Sequence, residues 1–180
     1  MGMNVLALLW AFAEATLFFV VPDVWLTVIA ARRGIRPALV ACGFAVLGAL
    51  AGGAVMYLWA SADPASALAA LRHVPGIAPG MIENAGAALR EQGVLALVFG
   101  AFAGVPYKIF AVEAPGAGLG LALFLAASVP ARLMRFVLLA GMTAAFGALV
   151  DGRLSKRVVL GVVLALWALF YAVYWALVGF

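Results

Sequence analysis

Charged side chains are scarce in this chain: they make up 10% of its 180 residues, against 68% that are hydrophobic. A soluble domain is about half apolar and about a quarter charged. With a mean hydropathy of +1.21, a water-soluble globule is excluded and an integral membrane protein is the reading. Cysteine is nearly absent too. Cys42 alone can form no internal disulfide and joins no Cys/His cluster, so no structural metal is expected. The single histidine, His73, lies in a polar stretch and reads as a solvated loop residue rather than a metal or catalytic group. No cofactor is implied. No Lys or Arg precedes Arg32, so the basic start of a cleavable signal is missing. Ser/His/Asp sets, HExxH and Walker loops are likewise missing, and an enzyme is not expected. The net charge of +4 comes from eleven Lys and Arg scattered among apolar segments. They form no basic face, which argues for membrane topology rather than nucleic-acid binding.

What is present is a series of apolar stretches, near 4–31, 37–60, 94–117, 119–150 and 158–179. A helical span needs about 20 apolar residues. Segments 37–60 and 158–179 fit that directly, the latter with Trp and Tyr suited to an interfacial belt. Segment 119–150 contains Pro130 and reads as a kinked span. Segments 4–31 and 94–117 are interrupted: the first by Pro22–Asp23, the second by Gly104, Pro106 and "EAPG" at 113–116. Proline removes a backbone donor and disfavours helix just before itself. Each broken segment is either a re-entrant hairpin or a full span kinked at its proline. The hairpin is the reading adopted, because broken backbone at membrane depth survives where protein or a water-filled cavity satisfies it.

A shift of 84 residues places Pro22 on Pro106, Gly34 on Gly118, Ala38 on Ala122 and Leu39 on Leu123. The expected fold is therefore an all-α integral membrane protein made of one membrane domain, 1–180. It has a first repeat (4–60), an interfacial connector (61–92), a second repeat (93–150) and a C-terminal transmembrane helix (158–179). Each repeat is a re-entrant hairpin followed by a transmembrane helix, and one crossing per repeat inverts the second relative to the first. Residues 32–36 and 151–157 would then share a face with six basic residues and one acid, whereas 61–92 carries two basic and three acidic. The positive-inside rule makes the first face, and the N-terminus, cytoplasmic. Gly48–Gly52 and Gly100–Gly104 match GxxxG, a close-packing spacing, although 20 glycines make such matches common.

Six charges fall inside the apolar segments: Glu14, Asp23, Lys108, Glu113, Arg132 and Arg135. A charge at the bilayer centre costs about 2.5–3.5 kcal/mol on insertion scales, so these side chains should face one another or a cavity. Arg132 and Arg135, at i and i+3, share a helix face. The expected arrangement sets Glu14 and Asp23 of the first hairpin against Lys108 of the second, with both arginines near. Whether the arginines face a cavity or pair with Glu113 stays open at this point. A charge network that only holds the bundle together is one reading. The other is a polar chamber for an anionic headgroup, since arginine offers phosphate two parallel donors, with a buried carboxylate able to carry a proton.

"FGAFAGVPYKIFAVEAPGAG" (99–118) with "SVPARLMRF" (128–136) resembles the second-half signature of the DedA family, also called the VTT or SNARE-associated membrane proteins. The "E…PD" of Glu14 to Asp23 resembles that family's acidic first hairpin. Where the family commonly has an arginine earlier in the second hairpin, this chain reads "FAGVP". The resemblance implies two inverted re-entrant hairpins in a bacterial inner membrane. It also implies movement of phospholipid or polyprenyl-phosphate lipid between leaflets, dependent in some members on the proton-motive force. Glu14 and Asp23 match the family's essential acids, and Lys108 an essential basic position.

The expected function is a lipid transporter or scramblase. Lys108, Arg132 and Arg135 would hold an anionic headgroup, Glu14 and Asp23 would couple protons or gate, and Pro22, Gly104 and Pro106 would break the hairpins. Its partners would be anionic phospholipid or polyprenyl phosphate, and protons; assembly into a homo-oligomer is left open. The alternatives are a proton-coupled exporter of a small solute and a non-transporting membrane scaffold.

Overall fold

Prolines and glycines divide this apolar chain into helices. In the computed structural model, which describes residues 2–178, nine helices and no strands occur among the described residues. Helix α1 (Gly2–Ala15) ends where Thr16 turns its hydroxyl back onto the Ala13 carbonyl at 2.9 Å. The chain then runs without helix to Pro22, whose ring starts α2 (Asp23–Arg33). Asp23 stands in the first turn of α2 and Arg32 and Arg33 in its last, each matching the helix dipole. Gly34, at φ +82°, supplies the left-handed residue that separates α2 from α3 (Ile35–Ala62).

The second half repeats this order. Helix α6 (Leu95–Phe102) stops before Gly104 at φ +80°, and Pro106 leads α7 (Tyr107–Gly116) as Pro22 leads α2. Gly118 at φ +75° then precedes α8 (Leu121–Leu149). The four short helices have 14, 11, 8 and 10 residues. At 1.5 Å per residue each is about 12–21 Å long, less than the roughly 30 Å of a hydrocarbon core. By contrast α3 and α8 have 28 and 29 residues. With α9 (Lys156–Val178) they are, among the described residues, three helices long and apolar enough to cross a membrane. The protein is thus an all-helical membrane protein. Helix α8 continues as one helix through Pro130, which is exposed.

Between the halves lie α4 (Pro64–Arg72) and α5 (Pro79–Gln92). Asp63 caps α4 by accepting from the Ser66 amide at 3.0 Å, with Pro64 as the first helical residue.

Helix α3 is the hub, packing on α1, α7, α8, α2 and α4. Its tightest neighbour is α1, and the cause is small side chains. Ala7, Ala11 and Ala15, all fully buried, meet the α3 face that carries Ala41, Ala45, Gly48, Ala49 and Gly52. A Cβ on Gly48 would lie 2.8 Å from the Leu8 carbonyl carbon, so glycine there permits backbone-to-backbone contact. A separate small cluster joins the end of α2 (Ala31), the end of α8 (Val150) and the start of α9 (Val159, Val163, Trp167). It gathers Arg32, Arg33, Arg36, Arg153, Lys156 and Arg157, all exposed, at one end of the bundle.

Candidate functional site

Residues of two irregular segments, 16–22 and 103–106, line one cavity together with Glu14, Lys108 and, from α8, Arg135. Glu14 comes from the last turn of α1, Asp23 opens α2, Lys108 lies in the first turn of α7, and Arg132 and Arg135 sit one turn apart on α8. Arg132 donates through Nη2 to Glu14 Oε2, and Arg135 through Nη2 to Asp23 Oδ2 at 3.0 Å. Glu14 (3% exposed), Asp23 (0%) and Arg132 (2%) are removed from solvent, while Arg135 keeps 18% of its side chain accessible.

Arg132 is held from all sides. Its guanidinium carbon lies 4.9 Å from the centroid of the Tyr107 ring and 4.9 Å from that of Phe136, so the cation sits against two π faces. Tyr107 is fixed in turn, donating to Ser128 Oγ at 2.9 Å, and Ser128 donates to the Phe124 carbonyl at 2.7 Å.

Lys108 differs from both arginines. It is 2% exposed, yet no carboxylate lies within ion-pair distance among the described residues. Its Nζ donates to the Phe18 carbonyl at 2.5 Å. An ammonium has three donors, so two are left over. The carbonyl it meets belongs to the non-helical segment 16–22, two of whose other backbone groups are also taken up by side chains. Trp10 Nε1 donates to the Val20 carbonyl at 2.9 Å, and the Val21 amide donates to the Tyr171 hydroxyl at 2.9 Å. Side chains of the protein thus satisfy part of this broken backbone.

A cavity with about 70 Å³ of space for water-sized groups opens beside Lys108. Glu14, Lys108 and Arg135 form its polar wall, and Phe19, Ile77 and Phe170 its apolar one. Gly104 and Pro106 line it as well. Pro22 is buried and leads straight into Asp23. Arg132 is not part of this wall; it borders a smaller void of about 10 Å³ next to Tyr107 and Phe110. Two polar atoms in the cluster have no partner among the described residues, Asp23 Oδ1 and Arg132 Nε.

Glu113, left open in the sequence as a partner for the arginines, lies elsewhere. It faces Arg90 of α5 at 3.6 Å, and the arginines take Glu14 and Asp23 instead. The sequence also gave no role to α9 or to the connector at this site, but the structure brings both in. Residues 74–77 between α4 and α5 line the cavity, and Tyr174 of α9 donates to the Gly76 carbonyl at 2.5 Å. The aromatic residues of α9 had looked like an interfacial belt. Only the spacing of Trp167, Phe170, Tyr171 and Tyr174, all on one helix face, distinguishes them from one.

Summed over Glu14, Asp23, Lys108, Arg132 and Arg135, the cluster has two acids and three bases. With all of them ionised it carries one surplus positive charge, and Lys108, the cation of the five with no carboxylate within ion-pair distance among the described residues, lines the cavity together with Arg135. Such an arrangement can receive an anion without first breaking an ion pair. No three His, Cys, Asp or Glu among the described residues are grouped to hold a metal ion. No family model matches the chain, and neither does any curated protein or solved structure compared with it.

Proposed function

We propose that this protein moves a phosphate-bearing lipid, either a phospholipid or a polyprenyl phosphate, between the leaflets of its membrane. Lys108 and Arg135 receive the headgroup. The observation that carries this reading is the buried Lys108 ammonium, which has no carboxylate within ion-pair distance among the described residues and borders a cavity that apolar side chains also line. An amphiphilic anion matches both walls. A purely structural lysine at this depth would be expected to face a carboxylate, because an unpaired buried charge costs several kcal/mol.

In this proposal α1–α2 and α6–α7 are the two re-entrant hairpins of an inverted repeat, and their broken tips meet near the midplane where transporters of this design place a site. The basic end of the bundle is the cytoplasmic face. The N-terminus starts on that side, and the cavity, roofed by residues 74–77, opens toward the other. Arg132, stacked between Tyr107 and Phe136 and paired with Glu14, orients the site rather than touching the headgroup. Glu14 and Asp23 are the groups that take up and release protons. The resemblance of "GVPYK" and "RLMR" to the DedA signature agrees with this assignment.

The test is transfer of fluorescent phospholipid or polyprenyl phosphate across reconstituted liposomes, comparing wild type with Lys108→Ala after confirming that both are folded and inserted. Transfer by the wild type and its loss in the variant is the expected result. Transfer that survives Lys108→Ala would overturn the site assignment. A wild type that moves no lipid tested but accumulates a water-soluble anion would transfer the site to solute export. One that moves neither would leave a scaffold.

A further inference from the structure

We infer that the hydroxyl of Tyr171, on α9, is the third donor of the anion site beside Lys108 and Arg135. This inference rests on the anion-binding reading above and extends it to a helix outside both hairpins. Tyr171 lines the same cavity as Lys108 and Arg135. Its oxygen already accepts from the Val21 amide at 2.9 Å, and among the described residues its hydrogen is given to no acceptor. A phenol is both a donor and an acceptor. With the acceptor side occupied, what this hydroxyl has left to offer the cavity is its proton.

The ring is placed firmly enough to serve. Phe19 packs edge-on to it at 6.5 Å between centroids, and Phe170 does so at 5.3 Å. One turn earlier on α9, Trp167 Nε1 donates to Thr27 Oγ1 of α2 at 2.9 Å, tying α9 to the helix that begins with Asp23. The neighbouring Tyr174 lines the cavity too, but its hydrogen is already given to the Gly76 carbonyl at 2.5 Å. Of the two tyrosines at the cavity, Tyr171 is therefore the one with a hydrogen left to give.

The experiment titrates the full-length chain in detergent with two probes, inorganic phosphate and a short-chain phosphatidic acid, following binding by ³¹P NMR. Tyr171→Phe should weaken both by about tenfold, the loss of a hydrogen bond to a charged group. Tyr57→Phe should stay within about twofold, since Tyr57 is not among the residues that line the cavity and its hydroxyl hydrogen is given to the Leu119 carbonyl at 2.8 Å. Whichever probe the wild type holds more tightly tells whether the anion belongs to a lipid or is free. Removing the Tyr171 hydroxyl also strands the Val21 amide, so a second arm replaces Tyr171 with 3-fluorotyrosine below pH 7, where the ring stays neutral. Fluorination makes the hydroxyl a better donor and a poorer acceptor. Tighter phosphate binding is expected. Weaker binding would mean that the hydroxyl serves only to hold Val21, and would overturn the inference. Unchanged binding in Tyr171→Phe would overturn it equally while leaving the anion site standing. A wild type that binds neither probe would remove the anion site and this inference with it.

Discussion

Replacing Lys108 by methionine should make the protein more stable and, on the proposed reading, stop lipid transfer. Lys108 is a 2%-exposed ammonium with one hydrogen bond, to the Phe18 carbonyl, and no carboxylate within ion-pair distance among the described residues. Taking such an ion out of water costs several kcal/mol even after relaxation. One charge-assisted hydrogen bond returns about 1.5–3 kcal/mol. Methionine keeps the unbranched stem and drops the charge, losing that bond but also the larger desolvation cost. The expected balance is a gain of about 1–2 kcal/mol. Arg132→Met is the contrast: it leaves Glu14 buried without its cation and should cost about 3–5 kcal/mol. The assay is equilibrium unfolding of both variants in mixed micelles, with lipid transfer measured in parallel. If Lys108→Met proves as damaging as Arg132→Met, the lysine is a structural tie. The reasoning from its missing partner would then be wrong.

Two further outcomes follow from the packing. Glu14→Gln and Arg132→Met should each destabilise by about 3–5 kcal/mol, while the double variant should recover most of that loss, because both charges leave the interior together; a double variant equal to the sum of the singles would mean the two residues do not interact. Gly48→Ala should cost about 1–3 kcal/mol by forcing α1 off α3, since the added Cβ meets the Leu8 backbone rather than a movable side chain. Gly43→Ala on the same helix meets nothing within 4 Å and serves as the control, expected to gain up to about 1 kcal/mol from helix propensity in the same unfolding assay.

Much of this architecture is legible from local chemistry. Apolar length alone locates α3 to within two residues at each end, at Ile35–Ala62 against 37–60. Pro22 and Pro106 fall where helices begin, since the ring's fixed φ and missing N–H suit a first turn and forbid continuation from before it. Pro130 differs from these two: it sits on the exposed side of α8, and the helix runs on through it, as a single span broken at no residue. The charged residues could be named, because hydropathy exposes any ion in an apolar run. Their pairing could not. Glu14 and Arg132 are 118 residues apart and Asp23 and Arg135 are 112 apart, separations at which composition carries no information about which acid meets which base. The contribution of α9 was hidden by its own chemistry, as tyrosine near a helix end suits a membrane interface and a binding wall equally well.

The charge count of the site bears on how a lipid would be carried. Lys108, Arg132 and Arg135 against Glu14 and Asp23 leave one positive charge. On the proposed reading, a phosphodiester headgroup with one negative charge neutralises the site. A phosphomonoester dianion leaves it at −1, and an uncompensated charge at this depth is costly. A proton on a carboxylate restores neutrality, and Asp23 is the acid with room for it: Oδ2 faces Arg135, while Oδ1 is buried with no partner among the described residues. Transfer of a phosphomonoester lipid such as polyprenyl phosphate should therefore respond to an imposed pH gradient across the liposome, and transfer of a phosphodiester such as phosphatidylglycerol should not. Asp23→Asn should abolish the gradient response for the monoester, since an amide cannot take up the proton, and leave the neutral exchange of the diester less affected. Equal gradient dependence for both lipid classes would sever proton movement from the charge of the cargo and place the coupling outside this cluster.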